Sequence, residues 1–396
     1  MKKSFFIIVV LIIQSVFGQS IVIVDSLYSP SLGKTMPISI VVPSSYDGQQ
    51  PIPILYLLHG YGIKHDYFIQ NTDIEQYIED SNVLCVMPDA GNSWWINAYS
   101  VSEDRYEDYL INDITKYIEN KYNIDTNEQY IAGFSMGGYG AVTLALRNPG
   151  RFDYVASISG AIQIPKDIEK LEKQPGYRTI VPSLDRAFGE APNTFRDTYN
   201  PFNIYKNTQT IDLPYIFLFF GLQEGNNLMS ANQDFADSLN VYGAYFEVHE
   251  LPGTHNAATC DASLNILLNR IKYFKEKAYK SFAPALMQVI LKHGVNNAIE
   301  KYHEIKLNKK IGFKFNEWEL NNLGYMLLGK DMIIEAIEIF KLNVEEYPDA
   351  SNPYDSLGEA YMIEGQKELA IKNYEKSLEL NPNNTSAVKI LEELKQ

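Results

Sequence analysis

The segment Gly133-Phe134-Ser135-Met136-Gly137-Gly138 holds a serine with glycine two residues before it and two after. The run Tyr130–Phe134 reads as a strand and Tyr139–Arg147 as the helix that follows, so Ser135 falls on a strand-to-helix turn. In a turn of that kind the serine adopts strained backbone angles and lifts its hydroxyl above the sheet. The residues two before and two after must then be small, because side chains there would collide; Gly133 and Gly137 meet that demand. The helix beginning just after Ser135 also directs its positive end at any oxyanion forming there. The chemistry implied is nucleophilic attack on a carbonyl, with a covalent acyl-enzyme on the way.

A serine hydroxyl needs a base, and where the nucleophile sits on a strand-to-helix elbow of this kind the partners follow in the order Ser, acid, His. Four of the six histidines come after Ser135. His293 and His303 lie in a helical C-terminal third, and His249 sits inside the apolar run Tyr245–Leu251. His255, in Pro252-Gly253-Thr254-His255-Asn256, occupies the loop after that last run and is the expected base; His249 is the alternative. The acid belongs in the loop after the preceding strand, Gly221-Leu222-Gln223-Glu224-Gly225, whose one carboxylate is Glu224; Asp234, in the helix beyond, is the fallback. Two backbone N–H groups must hold the oxyanion. Met136 supplies one, and Tyr61, in Leu57-Leu58-His59-Gly60-Tyr61-Gly62, the other. His59 precedes Ser135 and is assigned a structural hydrogen-bonding role. Trp94 and Trp95, in the loop after the fourth strand, are candidate substrate-binding residues that could stack on a sugar or aryl group, and they could equally pack beneath a cap.

Positioning these groups calls for a mainly parallel sheet. Two β-rich runs, Ile21–Val24 and Ile38–Val42, suit an antiparallel pair. After them, continuous apolar runs alternate with helix-length amphipathic segments: Ile52–Leu58, Val83–Met87, Tyr130–Phe134, Tyr154–Ile158, Tyr215–Phe220 and Tyr245–Leu251. Unbroken apolar runs are expected of strands covered on both faces, and the alternation specifies an α/β domain over 19–280. Residues 161–210 break the rhythm with charges, Pro and Gly, and read as a cap inserted over the C-terminal edge of the sheet. From 281 to 396 the strand signals vanish and a 34-residue period appears: Leu323-Gly324 recurs as Leu357-Gly358, Ala336 as Ala370, Phe340 as Tyr374, and Pro348 as Pro382. That is the tetratricopeptide helix–turn–helix pattern, with a degenerate unit before it around Ala298 and Tyr302. Such an all-α domain stabilises, self-associates or offers a groove to a protein partner.

The totals exclude several functions. A net charge of −15 over 396 residues argues against nucleic acid and against a polybasic membrane surface. Lys2 and Lys3, the apolar run Phe5–Phe17 and then Gly18 form a signal-peptide pattern over 1–18, too short for the roughly 20 apolar residues of a membrane span. The expectation is an exported protein, periplasmic or secreted, without stable membrane insertion. Cys85 and Cys260 are too few for a disulfide framework and read as separate, unreactive thiols. No metal or organic cofactor is called for.

At Tyr56–Gly60, Met87-Pro88-Asp89, Tyr106–Leu110, Gly133–Gly138 and Gly253-Thr254-His255 the chain resembles the esterase D (putative-esterase) branch of the α/β-hydrolases. That branch includes feruloyl and acetyl-xylan esterases, enterochelin-type siderophore esterases, S-formylglutathione hydrolases and mycolyltransferases. The resemblance spans roughly Ile21 to Lys275. It implies an α/β-hydrolase fold with Ser135, His255, Met136 and Tyr61 in the roles given above. Two positions depart from it: Glu224 stands where many relatives have Asp, although the mycolyltransferases use Glu, and Ala257 stands where many have an aromatic residue. The implied activity is a serine carboxylic-ester hydrolase on a small-molecule or carbohydrate ester, either an acylated carbohydrate or a siderophore ester. An exported enzyme would not meet the cytosolic S-formylglutathione. The alternatives are an acyltransferase that passes the acyl group to a sugar hydroxyl, and a repeat-based binding module on a passive hydrolase scaffold.

Overall fold

A computed structural model describes residues 19–396 except 172, 174–177, 191–192, 209–211, 242–243, 277–280, 308–312 and 396. The expected signal segment, 1–18, lies outside the described residues. Eight strands make one sheet: β1 (Ile21–Ser29), β2 (Lys34–Val42), β3 (Ile52–Leu58), β4 (Leu84–Pro88), β5 (Ile124–Phe134), β6 (Tyr154–Ile158), β7 (Tyr215–Gly221) and β8 (Phe246–Leu251). Their order across the sheet is β1-β2-β4-β3-β5-β6-β7-β8. β1 pairs with β2, and β2 with β4, antiparallel; every later pairing is parallel.

Alternate residues of the central strands enter two different cores, as the two-residue period of a strand requires. Ile54, Tyr56, Ile131, Val155, Ile216 and Leu218 face the layer holding helix Met136–Arg147. Leu55, Leu57, Ala132, Ala156, Phe217 and Phe219 face the layer holding helices Ile74–Ser81 and Ala257–Glu276. β3, β4 and β6 are buried along their whole length, which is why they are apolar without alternation. Cys85 and Cys260 lie in the second layer as separate buried thiols, and burial pushes the pKa of each up.

The observed elements differ from the expected ones mainly at their ends. β5 begins at Ile124 rather than Tyr130; the polar stretch Asp125–Glu128 conceals it, and a register irregularity separates Ile52↔Ile124 from Ile54↔Gln129. The amphipathic segment after β4 contains a π-helical stretch, Tyr109–Ile114, between helical turns Tyr106–Asp108 and Thr115–Lys121.

Between β6 and β7 the described residues form four helices, Ile164–Leu171, Val181–Phe188, Thr194–Thr198 and Pro201–Asn207. Arg196 ties the first three together: it pairs with Glu169 and donates to the carbonyls of Phe188 and Gly189. Beyond helix Ala257–Glu276 the described chain is helical, three pairs followed by the single helix Thr385–Lys395. In the second and third pairs the 34-residue period becomes a contact. A Cβ on Gly324 would stand 2.3 Å from the Phe340 ring, and one on Gly358 3.2 Å from the Tyr374 ring. Ala298 and Tyr302 are equally buried, in the preceding pair Ala283–His293 and Val295–Leu307. The repeats rest on the edge of the α/β domain, where the Tyr245 hydroxyl donates to the Ser281 carbonyl and Lys301 pairs with Asp212 at 2.8 Å.

Candidate active site

β5 ends at Phe134, and helix Met136–Arg147 begins two residues later, leaving Ser135 alone to make the turn. Its backbone sits at φ +57°, ψ −114°, a conformation that costs a non-glycine residue about 1–3 kcal/mol. The turn is pinned from β6: Ser135 N–H donates to the Ile158 carbonyl at 2.9 Å, and the Ser135 carbonyl accepts from Ala161 N–H at 3.2 Å. The flanking glycines are required by backbone approach. A Cβ on Gly133 would lie 2.2 Å from the Gly137 carbonyl oxygen, and one on Gly137 2.0 Å from the Leu58 carbonyl oxygen. No side-chain rotation could relieve either contact.

His255 Nε2 lies 3.0 Å from Ser135 Oγ, and the imidazole stacks on Phe134 at 4.7 Å between centroids. The Glu224 side chain is wholly buried, with Oε2 3.9 Å from His255 Nδ1. That gap exceeds a hydrogen bond, yet Oε2 has no other partner, so a small movement of the imidazole would satisfy both groups. Contacts of this type commonly tighten once substrate is bound. His249 is held elsewhere, bonded to Glu247 at 3.0 Å and stacked on Phe219. Asp234 is exposed on helix Asn226–Val241. The oxyanion loop meets the elbow at Gly60, where a Cβ would come within 3.3 Å of Ser135 Cβ. Tyr61 follows it, and Met136 is the first residue of the helix on the other side. His59 anchors the loop: its Nε2 accepts from Ala90 N–H at 3.0 Å, which places the ring proton on Nδ1, facing the Gly60 carbonyl at 2.8 Å. Burial lowers its pKa and keeps the ring neutral.

A serine on a strained elbow, with an imidazole on its hydroxyl, is the arrangement shared by serine hydrolases, and comparison with known proteins agrees. Residues 29–265 match the family described as "Putative esterase". This chain belongs to that esterase family. Residues 356–384 match a tetratricopeptide repeat. Esterase Rv1288 of Mycobacterium tuberculosis is 26% identical to this chain over 247 residues, 57% of this chain and 53% of that one. The chain thus spans about half the length of the curated relatives it matches. Among solved structures, the serine hydrolase FphF of Staphylococcus aureus aligns at TM-score 0.56 and 22% identity, over 64% of this chain and 99% of FphF. The S-formylglutathione hydrolase FrmB of the same organism aligns at TM-score 0.54 and 21% identity, over 64% of this chain and 99% of FrmB. M. tuberculosis MPT51 does so at TM-score 0.55 and 16% identity, over 63% and 98%. At these identities the likeness is one of fold.

The structure corrects the substrate-stacking expectation for Trp94 and Trp95. Their exposures are 2% and 0%, and both indole N–H groups are already used, Trp94 on Ser183 Oγ at 3.0 Å and Trp95 on the His59 carbonyl at 3.1 Å. Both residues lie at positive φ, +60° and +62°, which turns the indoles inward. Gly140 makes the room: a Cβ there would strike Trp95 at 2.6 Å. The pair therefore ties the cap and the oxyanion loop to the elbow helix, which is the packing alternative.

Reasoning from sequence missed the groups that hold the acid. Ser159, at φ +50° just past β6, donates its hydroxyl to Glu224 Oε1, and Gly221 N–H donates to the same oxygen at 2.9 Å. Gln223 joins the acid loop to the base loop, its N–H donating to the Gly253 carbonyl at 2.9 Å while its Oε1 accepts from Gly253 N–H at 2.5 Å. Gly221 permits that approach, since a Cβ on it would be 2.4 Å from the Gly253 carbonyl. The available signal was Ser159-Gly160 at the end of an apolar strand, a pair too common to single out.

Proposed function

We propose that the esterase is a serine carboxylic-ester hydrolase working through Ser135, His255 and Glu224. The observation that carries this reading is a strained Ser135 with its Oγ 3.0 Å from His255 Nε2. Nε2 takes the hydroxyl proton as Oγ bonds to the ester carbonyl carbon, and the carbonyl oxygen gains the negative charge. The N–H groups of Met136 and Tyr61 receive that oxyanion, aided by the positive end of helix Met136–Arg147. As the tetrahedral species collapses, His255 returns the proton to the departing alcohol, leaving an acyl group on Ser135. A water deprotonated by His255 then attacks the acyl carbon and releases the acid. Glu224 orients the imidazole and stabilises its protonated form, and Ser159 and Gly221 fix Glu224.

The substrates proposed are acylated carbohydrates or siderophore-type esters met outside the cytoplasm. The basic-then-apolar stretch from Lys2 to Phe17 supports the compartment. The repeats would serve self-association or a protein partner. A chromogenic short-chain ester tests the chemistry. Ser135→Ala should cost on the order of 10⁶-fold in kcat, as removal of a nucleophile does in other serine hydrolases. Wild-type turnover by that variant would sink the mechanism.

A further inference from the structure

Beside the oxyanion loop lies a cleft of about 490 Å³, roofed by cap helix Val181–Phe188. Its floor is the C-terminal edge of the sheet, where α/β folds receive ligands. Tyr61 follows β3, Ala90, Asn92 and Ser93 follow β4, and Lys34 opens β2, whose antiparallel course brings its first residues to the same edge as Pro88. From Ser135 at the end of β5, the path across β3 and β4 to β2 crosses three inter-strand spacings, about 14 Å at the usual separation. Tyr61 is the wall the cleft shares with the reacting centre: its neighbour Gly60 abuts Ser135, and its hydroxyl is fixed by donating to the Thr179 carbonyl at 3.2 Å.

The far end of this cleft has an uncompensated positive charge. Arg186 and Asp104 neutralise each other in an ion pair. Lys34 does not have such a partner: its Nζ lies 3.0 Å from the neutral Tyr106 hydroxyl, and among the described residues no carboxylate stands within ion-pair distance of it. Asn92 Oδ1 is occupied by Gly62 N–H at 2.8 Å, which leaves the amide N–H₂ as its remaining hydrogen-bonding group. In a chain of net charge −15, a cleft with a spare cation and a spare donor is a local reversal of sign. Its lining is polar and apolar in about equal parts, with Tyr61 in its wall and Tyr106 beside the spare cation, which suits a sugar ring carrying negative charge.

We propose that this cleft is the subsite for the part of the substrate remote from the scissile ester, and that it selects a carboxylate-bearing sugar, with Lys34 pairing to the carboxylate. The proposal rests on Ser135 as the reacting centre. The test compares acetate release from O-acetylated galacturonate oligosaccharides with release from the same oligosaccharides after carboxyl amidation. At low salt the wild type should favour the acid form about fivefold in kcat/KM, the factor one partly exposed ion pair supplies. The preference should shrink at about 0.5 M salt, where the screening length falls to a few ångströms. Lys34→Gln should bring the ratio to about one, and Lys34→Glu below one. The same reversal at Lys376, far out on the repeats, should leave it unchanged. A wild-type ratio of one, or a ratio that survives Lys34→Glu, overturns the proposal. Calorimetry with unacetylated galacturonate oligosaccharide on Ser135→Ala separates this idea from the catalytic one. Binding that disappears when Lys34→Glu is added supports the subsite even if no ester is hydrolysed; ester hydrolysis with neither preference nor binding sinks the subsite alone.

Discussion

Glycine does two different jobs in the two halves of this chain. At the elbow, Gly133 and Gly137 stand where one backbone meets another, with carbonyl oxygens 2.2 and 2.0 Å from the place a Cβ would take. In the repeats, Gly324 and Gly358 face the rings of Phe340 and Tyr374. A ring can tilt or slide, whereas the carbonyl of Leu58 in its strand and that of Gly137 in its helix cannot move without breaking the hydrogen bonds of those elements. The elbow is also made once, while the repeats make the same contact again 34 residues later. A single-copy site built on backbone contacts should therefore fail abruptly. A periodic one built on side-chain contacts should degrade by degrees.

Gly137→Ala should break the comparison most severely. It forces Leu58 and the oxyanion loop away from Ser135, so turnover of a short chromogenic ester should fall at least about 10⁴-fold, together with a loss of stability of about 3 kcal/mol or more by denaturant unfolding. Near-normal activity would show that the elbow can relax after all. Next comes Glu224→Gln, which keeps the shape and removes the charge proposed to orient His255; kcat should drop by about 10⁴, as an equivalent change does in a serine protease. Ser159→Gly is gentler, because glycine retains the φ +50° backbone and deletes only the hydroxyl on Glu224 Oε1. The expectation is about a tenfold fall in kcat with KM unchanged, the size of one hydrogen bond to a charged group. A change in KM alone would assign Ser159 a merely structural part.

The smallest effects belong to the repeats, and they sharpen the contrast within it. Gly324→Ala would press on Phe340 from 2.3 Å and should cost about 2 kcal/mol in thermal unfolding. Gly358→Ala meets Tyr374 at 3.2 Å, and the roughly 1 kcal/mol helix preference for alanine should offset most of that strain. Neither change should alter kcat/KM. If Gly324→Ala impairs turnover, the repeats act on the site rather than beside it.

How much of this was legible beforehand follows from the range of the interactions concerned. Strands covered on both faces announce themselves as unbroken apolar runs, so β3 and β6 were readable to the residue. β5 was half hidden, because Asp125–Glu128 is polar and its pairing is irregular. The elbow was legible because local backbone strain demands particular residues at adjacent positions. Trp94 and Trp95 were not: whether an aromatic pair faces ligand or core depends on a cap about 90 residues away and on the space that Gly140 leaves.

The sequence alone determined the architecture and singled out the residues proposed as the reaction centre. Ser135 between two glycines, His255 after the last strand, Glu224 after the one before and a 34-residue helical period are local or periodic patterns, and short-range sterics impose them. Only the tertiary structure decided how the acid is held, which way the tryptophans turn and where a spare positive charge lies along the sheet edge. Those outcomes arise where segments 30 to 150 residues apart are brought into contact, and no local pattern records which atoms will meet there.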